Sequence, residues 1–308
     1  MDGTRNDTAP IELQDPLVLV LARWVLASNG ILANSFVIFV FVYNKTYKKS
    51  LSLKLLLHQT IVDLISSVMF LIFHNTDVPD GTRGTLFYKM EFLFKYMSVT
   101  STFNFVMLTI ECYIAVIHPL LYRQKSLHRK ITYLSLAIPH VCGIILTLYV
   151  AINVEKNPNV TYCTGNEVKT VAAVLLITVY WMVPISIMLY CYIQMLLKLH
   201  KTSRVSQQPS SRPKDSRQIY RVKSDLLTTL ILIAFVYILT ITPSSVFLLI
   251  HFIYHRYNFT YELSMLFLEL NLSMNPFIYC VTCKDFQRGV CKIKRYIFQD
   301  FPKPVLVM

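Results

Sequence analysis

Leu17 to Tyr43 reads LVLVLARWVLASNGILANSFVIFVFVY, 27 residues with a single charge, Arg23, and no proline. The hydrocarbon core of a bilayer is ~30 Å thick, and about 20 predominantly apolar residues in a helix cross it. Backbone amides have no water to bond in that core, so a segment of this length and composition is expected to be a helix that satisfies its own backbone. Outward from it, six more apolar stretches follow at 51–73, 86–117, 131–153, 168–197, 225–254 and 262–282. The expected fold class is an all-α membrane protein, a seven-transmembrane helix bundle. Seven crossings put the two ends of the bundle on opposite sides of the membrane, as a device that carries a signal across requires.

Composition agrees. Hydrophobic residues make up 54% of the chain and charged residues 15%, against about 25% charged in soluble domains. The net charge of +13 raises nucleic acid as a partner, but its placement argues against it. Lysine and arginine gather in every second gap and the tail: Lys45 to Lys49, Arg123 to Lys130, Lys198 to Lys223, and Lys284 to Lys303. The other gaps and the leading segment hold acid instead, at Asp2, Asp7, Glu12, Asp15, Asp77, Asp80, Glu155 and Glu167. Basic loops face the cytoplasm. The expected orientation is therefore multi-pass in the plasma membrane, N-terminus extracellular and C-terminus cytoplasmic, with the lipid bilayer rather than nucleic acid as the partner of the positive charge.

The expected organisation is an extracellular segment 1–16, a seven-helix domain 17–282, and an amphipathic helix with a short cytoplasmic tail at 283–308. The leading segment shows no apolar core of a cleavable signal. Glycosylation sequons at Asn6, Asn159 and Asn258 fall in segments assigned to the outside, whereas those at Asn44 and Asn271 do not. In the tail Phe286, Val290, Ile293 and Ile297 recur at helical spacing among basic residues, the pattern of a short helix lying on the inner leaflet. Cys283 and Cys291 there are either palmitoylation sites or ordinary membrane-proximal thiols. Cys163 stands alone among seven cysteines on the external side, so no disulfide is expected across the outer loops. Lys201 to Lys223, with Pro209, Ser210, Ser211 and Pro213, reads as a solvated inner loop.

Polar side chains inside the spans are costly in hydrocarbon and normally face the bundle interior. Asn34, Asp63, Ser101, Asn271 and Asn275 are of this kind, and Pro184, Pro243 and Pro276 interrupt three spans. Asn275-Pro276-Phe277-Ile278-Tyr279 with Phe286 seven residues on resembles the signature of rhodopsin-like (class A) G-protein-coupled receptors. Other landmarks fall in order: Asn34 in the first span, Asp63 in the second, Glu111-Cys112-Tyr113 ending the third, Pro184 with Tyr192 in the fifth and Pro243 in the sixth. The resemblance implies a receptor that binds an extracellular ligand and activates a heterotrimeric G protein by rearranging helices five, six and seven. It assigns coupling and activation to Glu111, Cys112, Tyr113, Tyr192, Tyr237, Pro243, Asn275, Pro276 and Tyr279. Asp63, Ser101, Asn271 and Asn275 match positions that hold an allosteric sodium ion in the family. The alternative at those four residues is a hydrogen-bonded polar core without an ion, and no other cofactor is implied.

This chain also departs from the pattern. Cys112 stands where the family has arginine, Phe87 where it has the third-helix cysteine, and the residue two before Pro243 is Ile241 rather than tryptophan, leaving Tyr237 as the candidate aromatic switch. Phe94 replaces the aspartate of amine receptors, arguing against a typical monoamine, and Glu269 replaces the lysine of opsins, arguing against retinal. Phe94, Lys95, Glu269 and Glu91 are the candidate ligand contacts; Lys95 and Glu269 either pair or meet a charged or zwitterionic ligand, the alternative being that Lys95 reaches outward and Glu269 is simply hydrogen-bonded. Cys112 and Ile241 also keep open a non-signalling receptor, a decoy, scavenger or heterodimer partner. An enzyme is not expected: no cluster of metal ligands or Ser–His pair is apparent at membrane depth.

Overall fold

A computed structural model describes residues 16–76, 81–122, 125–153, 167–205, 214–254 and 258–299. Among them every regular element is helical. The helices are α1 (Leu17–Tyr43), α2 (Leu51–Asn75), α3 (Gly81–Ile117), α4 (Lys125–Asn153), α5 (Glu167–Val205), α6 (Lys214–Tyr254), α7 (Asn258–Thr282) and α8 (Lys284–Gln299). A single turn, Pro119–Tyr122, lies between α3 and α4. Successive helices run in opposite directions; the end of the bundle where α1 starts is called the upper end below, and the end bearing α8 the lower.

The bundle is apolar on the outside as well as within. On α4, Leu134, Val141, Ile144, Ile145, Leu148 and Ile152 are exposed, while Ser135 and Thr147 are buried. Apolar area of this extent is not left open to water, and it fits a lipid-facing surface. Six helices, α1 to α6, are long and apolar enough to cross a membrane on their own. The seventh stretch, α7, is not among them, contrary to the reading of seven self-sufficient spans. It carries Glu262, Glu269, Asn271 and Asn275, and its polar side chains turn into the bundle, where other helices rather than lipid surround them. Two boundaries also differ: α5 continues to Val205 and α6 starts at Lys214, so most of the expected inner loop is helix.

Local chemistry sets the helix ends. Ser50 caps α2 by accepting from the Leu53 amide at 3.3 Å. Lys45 takes the left-handed φ of 51° that lets the chain reverse between α1 and α2. At the junction of α7 and α8, Gln287 Nε2 donates to the carbonyls of Cys280 (2.9 Å) and Val281 (2.8 Å), which have lost their helical partners. Phe286 is buried, its ring 6.1 Å from those of both Phe36 and Phe41. Asn44 Nδ2 donates to the Gly289 carbonyl at 3.3 Å and Lys49 pairs with Asp285 at 2.7 Å. The short amphipathic helix is thereby pinned to α1. Ile297 has its side chain outside the described residues.

Two glycines mark where helices come closest. A Cβ on Gly30 of α1 would lie 2.4 Å from Ser67 Oγ and 2.8 Å from Glu269 Oε1, and one on Gly143 of α4 would lie 2.5 Å from Thr100 Oγ1.

Candidate functional site

At the upper end, five helices bring charges together. Arg23 of α1 pairs with Glu262 of α7 at 3.1 Å, and His74 of α2 lies 4.0 Å from the same carboxylate. Lys95 pairs with Glu91 one turn away on α3 at 3.1 Å. The Tyr261 hydroxyl donates to Glu91, and Lys95 Nζ sits 5.3 Å from the centre of the Tyr261 ring. The His251 ring, from α6, lies tilted against that of Tyr261, centroids 5.3 Å apart. Beneath these charges is an aromatic floor: Phe70 and Phe94 are fully buried with centroids 5.4 Å apart, and His74 lies within 5.5 Å of both.

The expected contact between Lys95 and Glu269 is not formed. Lys95 is held at the rim by Glu91, and Glu269 is fully buried on the face of α7 toward α1 and α2, with the Ser67 hydroxyl beside it. Among the described residues neither Glu269 carboxyl oxygen has a partner in hydrogen-bond geometry. Phe87 does not leave a gap where a cysteine was expected; its ring packs edge-on against Phe73 at 5.2 Å.

In the middle of the bundle, Asp63 is the acceptor of a polar cluster. Gln59 Nε2 (2.8 Å) and Ser101 Oγ (2.7 Å) donate to its Oδ1, and Asn275 Nδ2 (2.8 Å) to its Oδ2. Three of the four residues implied for sodium therefore converge. The fourth does not: Asn271 Nδ2 turns to Thr240 Oγ1 at 2.8 Å. The set around Asp63 is one of donors, which suits a bare carboxylate but presents few free lone pairs to a hard cation. The cluster extends sideways through Asn104, His58, His140 and Tyr96. His58 and His140 were not expected to meet, yet their Nε2 atoms are 3.0 Å apart.

Lower down, Tyr192 ties α5 to its neighbours: its hydroxyl donates to the Leu230 carbonyl of α6 (3.1 Å) and lies 3.0 Å from Thr109 Oγ1 of α3. Tyr279 is fully buried and its hydroxyl has no hydrogen-bond partner among the described residues. Tyr237 is likewise fully buried, its phenol beside Tyr180 and Thr102. Pro243 and Pro276 lie within α6 and α7.

At the lower end of α3, Glu111 is almost fully buried. Ser52 Oγ donates to Oε2 and the Tyr122 hydroxyl to Oε1, each at 2.5 Å, and the Cys112 thiol lies 3.4 Å from Oε2. Burial, reinforced by the adjacent carboxylate, holds the Tyr122 phenol well above its ordinary pKa, so it stays a donor. A cysteine in place of arginine has not left the carboxylate bare. Ser52 and Tyr122 supply the donors instead. Tyr113 points elsewhere, its ring 6.4 Å from Tyr190 and 6.1 Å from His118.

Lipidation divides the two candidate cysteines. Cys291 is exposed, but Cys283 is buried between α7 and α8, where desolvation raises its thiol pKa and disfavours the thiolate that acylation needs. Cys280, not singled out from sequence, is exposed. Asn6, Asn159 and Cys163 lie outside the described residues, as does the side chain of Asn258.

A membrane bundle of this kind, with a polar centre at Asp63, a proline–tyrosine end to its last span and a pinned amphipathic helix, is the architecture of a seven-transmembrane receptor. Residues 33–279 match the family model for seven-transmembrane receptors of the rhodopsin family, and the chain belongs to that family. Membership places it among receptors rather than enzymes. Similar proteins include G-protein coupled receptor 183 of Homo sapiens, 25% identical over 250 residues covering 71% of this chain and 64% of that one. The Mus musculus form is 26% identical over 240 residues, covering 71% and 65%. G-protein coupled receptor 183-A of Danio rerio is 22% identical over 254 residues, covering 73% and 65%. The chain spans 64–65% of the length of these relatives.

The upper ion pairs were missed in the sequence. Arg23, the one charge in an otherwise apolar span, was the available signal, because a buried arginine in a membrane helix needs a carboxylate partner.

Proposed function

We propose that this protein is a plasma-membrane G-protein-coupled receptor, with its upper end extracellular and its lower end cytoplasmic. An extracellular ligand shifts the balance between two packings of α5, α6 and α7, and the opened lower face engages a heterotrimeric G protein. The observation that carries this reading is the state of the lower end. Glu111 is locked by Ser52 and Tyr122, and Tyr192 clamps α3, α5 and α6 together. Such contacts are a resting latch, with something to release. The non-signalling alternative rested on Cys112 and Ile241, and the replacement donors on Glu111 weaken the first of these motives.

The upper end indicates what the ligand carries. Arg23 and Lys95 are met by Glu262 and Glu91, with His74 and Tyr261 between the two pairs and an aromatic floor below. Two cations each matched by a carboxylate, Arg23 and Glu91 buried and Glu262 and Lys95 partly so, suit a ligand that itself bears both signs, exchanging internal pairs for external ones at little net desolvation cost. Neither a monoamine nor retinal has that character. The placement of the sequons at Asn6, Asn159 and Asn258 accords with the proposed orientation.

Two measurements test this. An epitope fused before Met1 is expected to be stained on intact cells, and mini-G-protein recruitment across the G-protein families is expected to exceed mock for at least one family. Staining only after permeabilisation reverses the orientation; recruitment by none, in the wild type or in the Tyr122→Phe variant that opens the latch, removes the coupling.

A further inference from the structure

We propose that the side-chain amide of Gln59 occupies the place a sodium ion takes in this family, so that the polar centre around Asp63 works without sodium. Gln59 Nε2 donates both to Asp63 Oδ1 (2.8 Å) and to Ser101 Oγ. These are two oxygens that a cation bound there would share. Ser101 spends one lone pair on Gln59 and its proton on Asp63 (2.7 Å), and Asp63 Oδ2 accepts from Asn275 Nδ2 (2.8 Å). Asn271 faces Thr240. A hard cation needs several oxygen lone pairs at ~2.3–2.6 Å; here an N–H group sits where the ion would, and supplies the partial positive charge that Asp63 requires.

The direction of the amide is fixed by a chain of side chains reaching to α4. Asn104 Nδ2 donates to Gln59 Oε1 (2.7 Å) and to the Leu55 carbonyl (3.1 Å), which leaves Asn104 Oδ1 as an acceptor for His58 Nδ1 at 3.0 Å. With its proton on Nδ1, neutral His58 accepts at Nε2 from His140 Nε2 (3.0 Å), and His140 Nδ1 then accepts from the Tyr96 hydroxyl (2.7 Å). One polarity satisfies every member: Tyr96 to His140, to His58, to Asn104, to Gln59, to Asp63. Reversing the Gln59 amide would set its carbonyl against the Asp63 carboxylate and its N–H groups against those of Asn104. Asn104, His58, His140 and Tyr96 are positioning residues for the amide.

The test is the thermal unfolding midpoint of the purified full chain in nanodiscs, titrated with sodium chloride against choline chloride at constant ionic strength. The wild type is expected to show no sodium-specific shift. Gln59→Leu removes the amide and frees the lone pairs of Asp63 and Ser101, so a sodium-specific rise of about 2–4 °C is expected. Asn104→Ala keeps Gln59 but lets its amide turn, and is expected to gain part of the same dependence. A sodium-specific rise in the wild type overturns the proposal, because the ion then binds despite the amide. Loss of sodium response in all three proteins also overturns it, because Gln59 is then not what excludes the ion. Should Gln59→Leu fail to fold, the wild type and Asn104→Ala decide between the same outcomes. The readout is stability, so the result stands apart from whether the protein signals.

Discussion

Tyr122→Phe removes one hydroxyl from the lower end and leaves the ring. The lost interaction is the 2.5 Å bond to Glu111 Oε1, made to a carboxylate that is 2% exposed. A hydrogen bond to a charged group contributes about 1.5–3 kcal/mol, and the stranded carboxylate oxygen adds to the loss while it stays buried. In the open packing that oxygen reaches water and the cost largely disappears, so the substitution acts on the closed packing alone. A penalty of about 1.5–3 kcal/mol shifts the closed-to-open ratio about 10- to 150-fold. Basal G-protein activation, read by energy transfer between labelled G-protein subunits without ligand, is expected to rise by about that factor from a low baseline at matched surface expression. Ser52→Ala, which removes the donor to Oε2, is expected to act in the same direction. The double variant should not exceed the sum of the two in free energy, since both bonds end on one carboxylate. Unchanged basal activity in both single variants, with normal surface expression, refutes the latch.

Tyr192→Phe breaks the bonds to Leu230 and Thr109; the thermal midpoint should fall by about 1–3 kcal/mol equivalent while basal activity rises, and a fall in both would assign Tyr192 to the active packing instead. Gly30→Ala drives a methyl group to 2.4 Å from Ser67 Oγ and 2.8 Å from Glu269 Oε1; a loss of about 1–3 kcal/mol is expected in thermal unfolding, largely relieved by adding Ser67→Ala, which removes the nearer atom. Arg23→Ala leaves the partly buried Glu262 without its guanidinium and should lower surface expression, with recovery in Arg23→Ala, Glu262→Gln as the check. Acyl exchange after hydroxylamine should label Cys291 or Cys280 and not Cys283, because the first two are exposed and the third is buried; label lost only in Cys283→Ser would contradict this.

The bundle was legible because one long apolar stretch with a single charge admits only a helix in hydrocarbon, and the alternation of basic and acidic gaps orders the rest. The limits of that reading lie in α7, whose Glu262, Glu269, Asn271 and Asn275 are carried inside by neighbours that periodicity cannot name. The same holds for pairings. Asp63 with Ser101 and Asn275 was foreseeable only through the family resemblance, which grouped them. Gln59, His58 and His140 were not, because residues 82 positions apart meet only once α4 packs closely on α3, at Gly143 and Thr100. Lys95 found a carboxylate one turn away rather than across the bundle. Both charges then sit on one rigid helix, and no side-chain reach toward the buried Glu269 is needed.

The central claim is that a receptor with cysteine in place of the family's arginine still drives a G protein. Nucleotide exchange by purified heterotrimers, one G-protein family at a time, on wild type, Cys112→Arg and Tyr122→Phe in nanodiscs without ligand measures it directly. The account predicts exchange above the receptor-free rate with the wild type for at least one family, and more with Tyr122→Phe. Exchange with Cys112→Arg alone, or with none of the three, would contradict it.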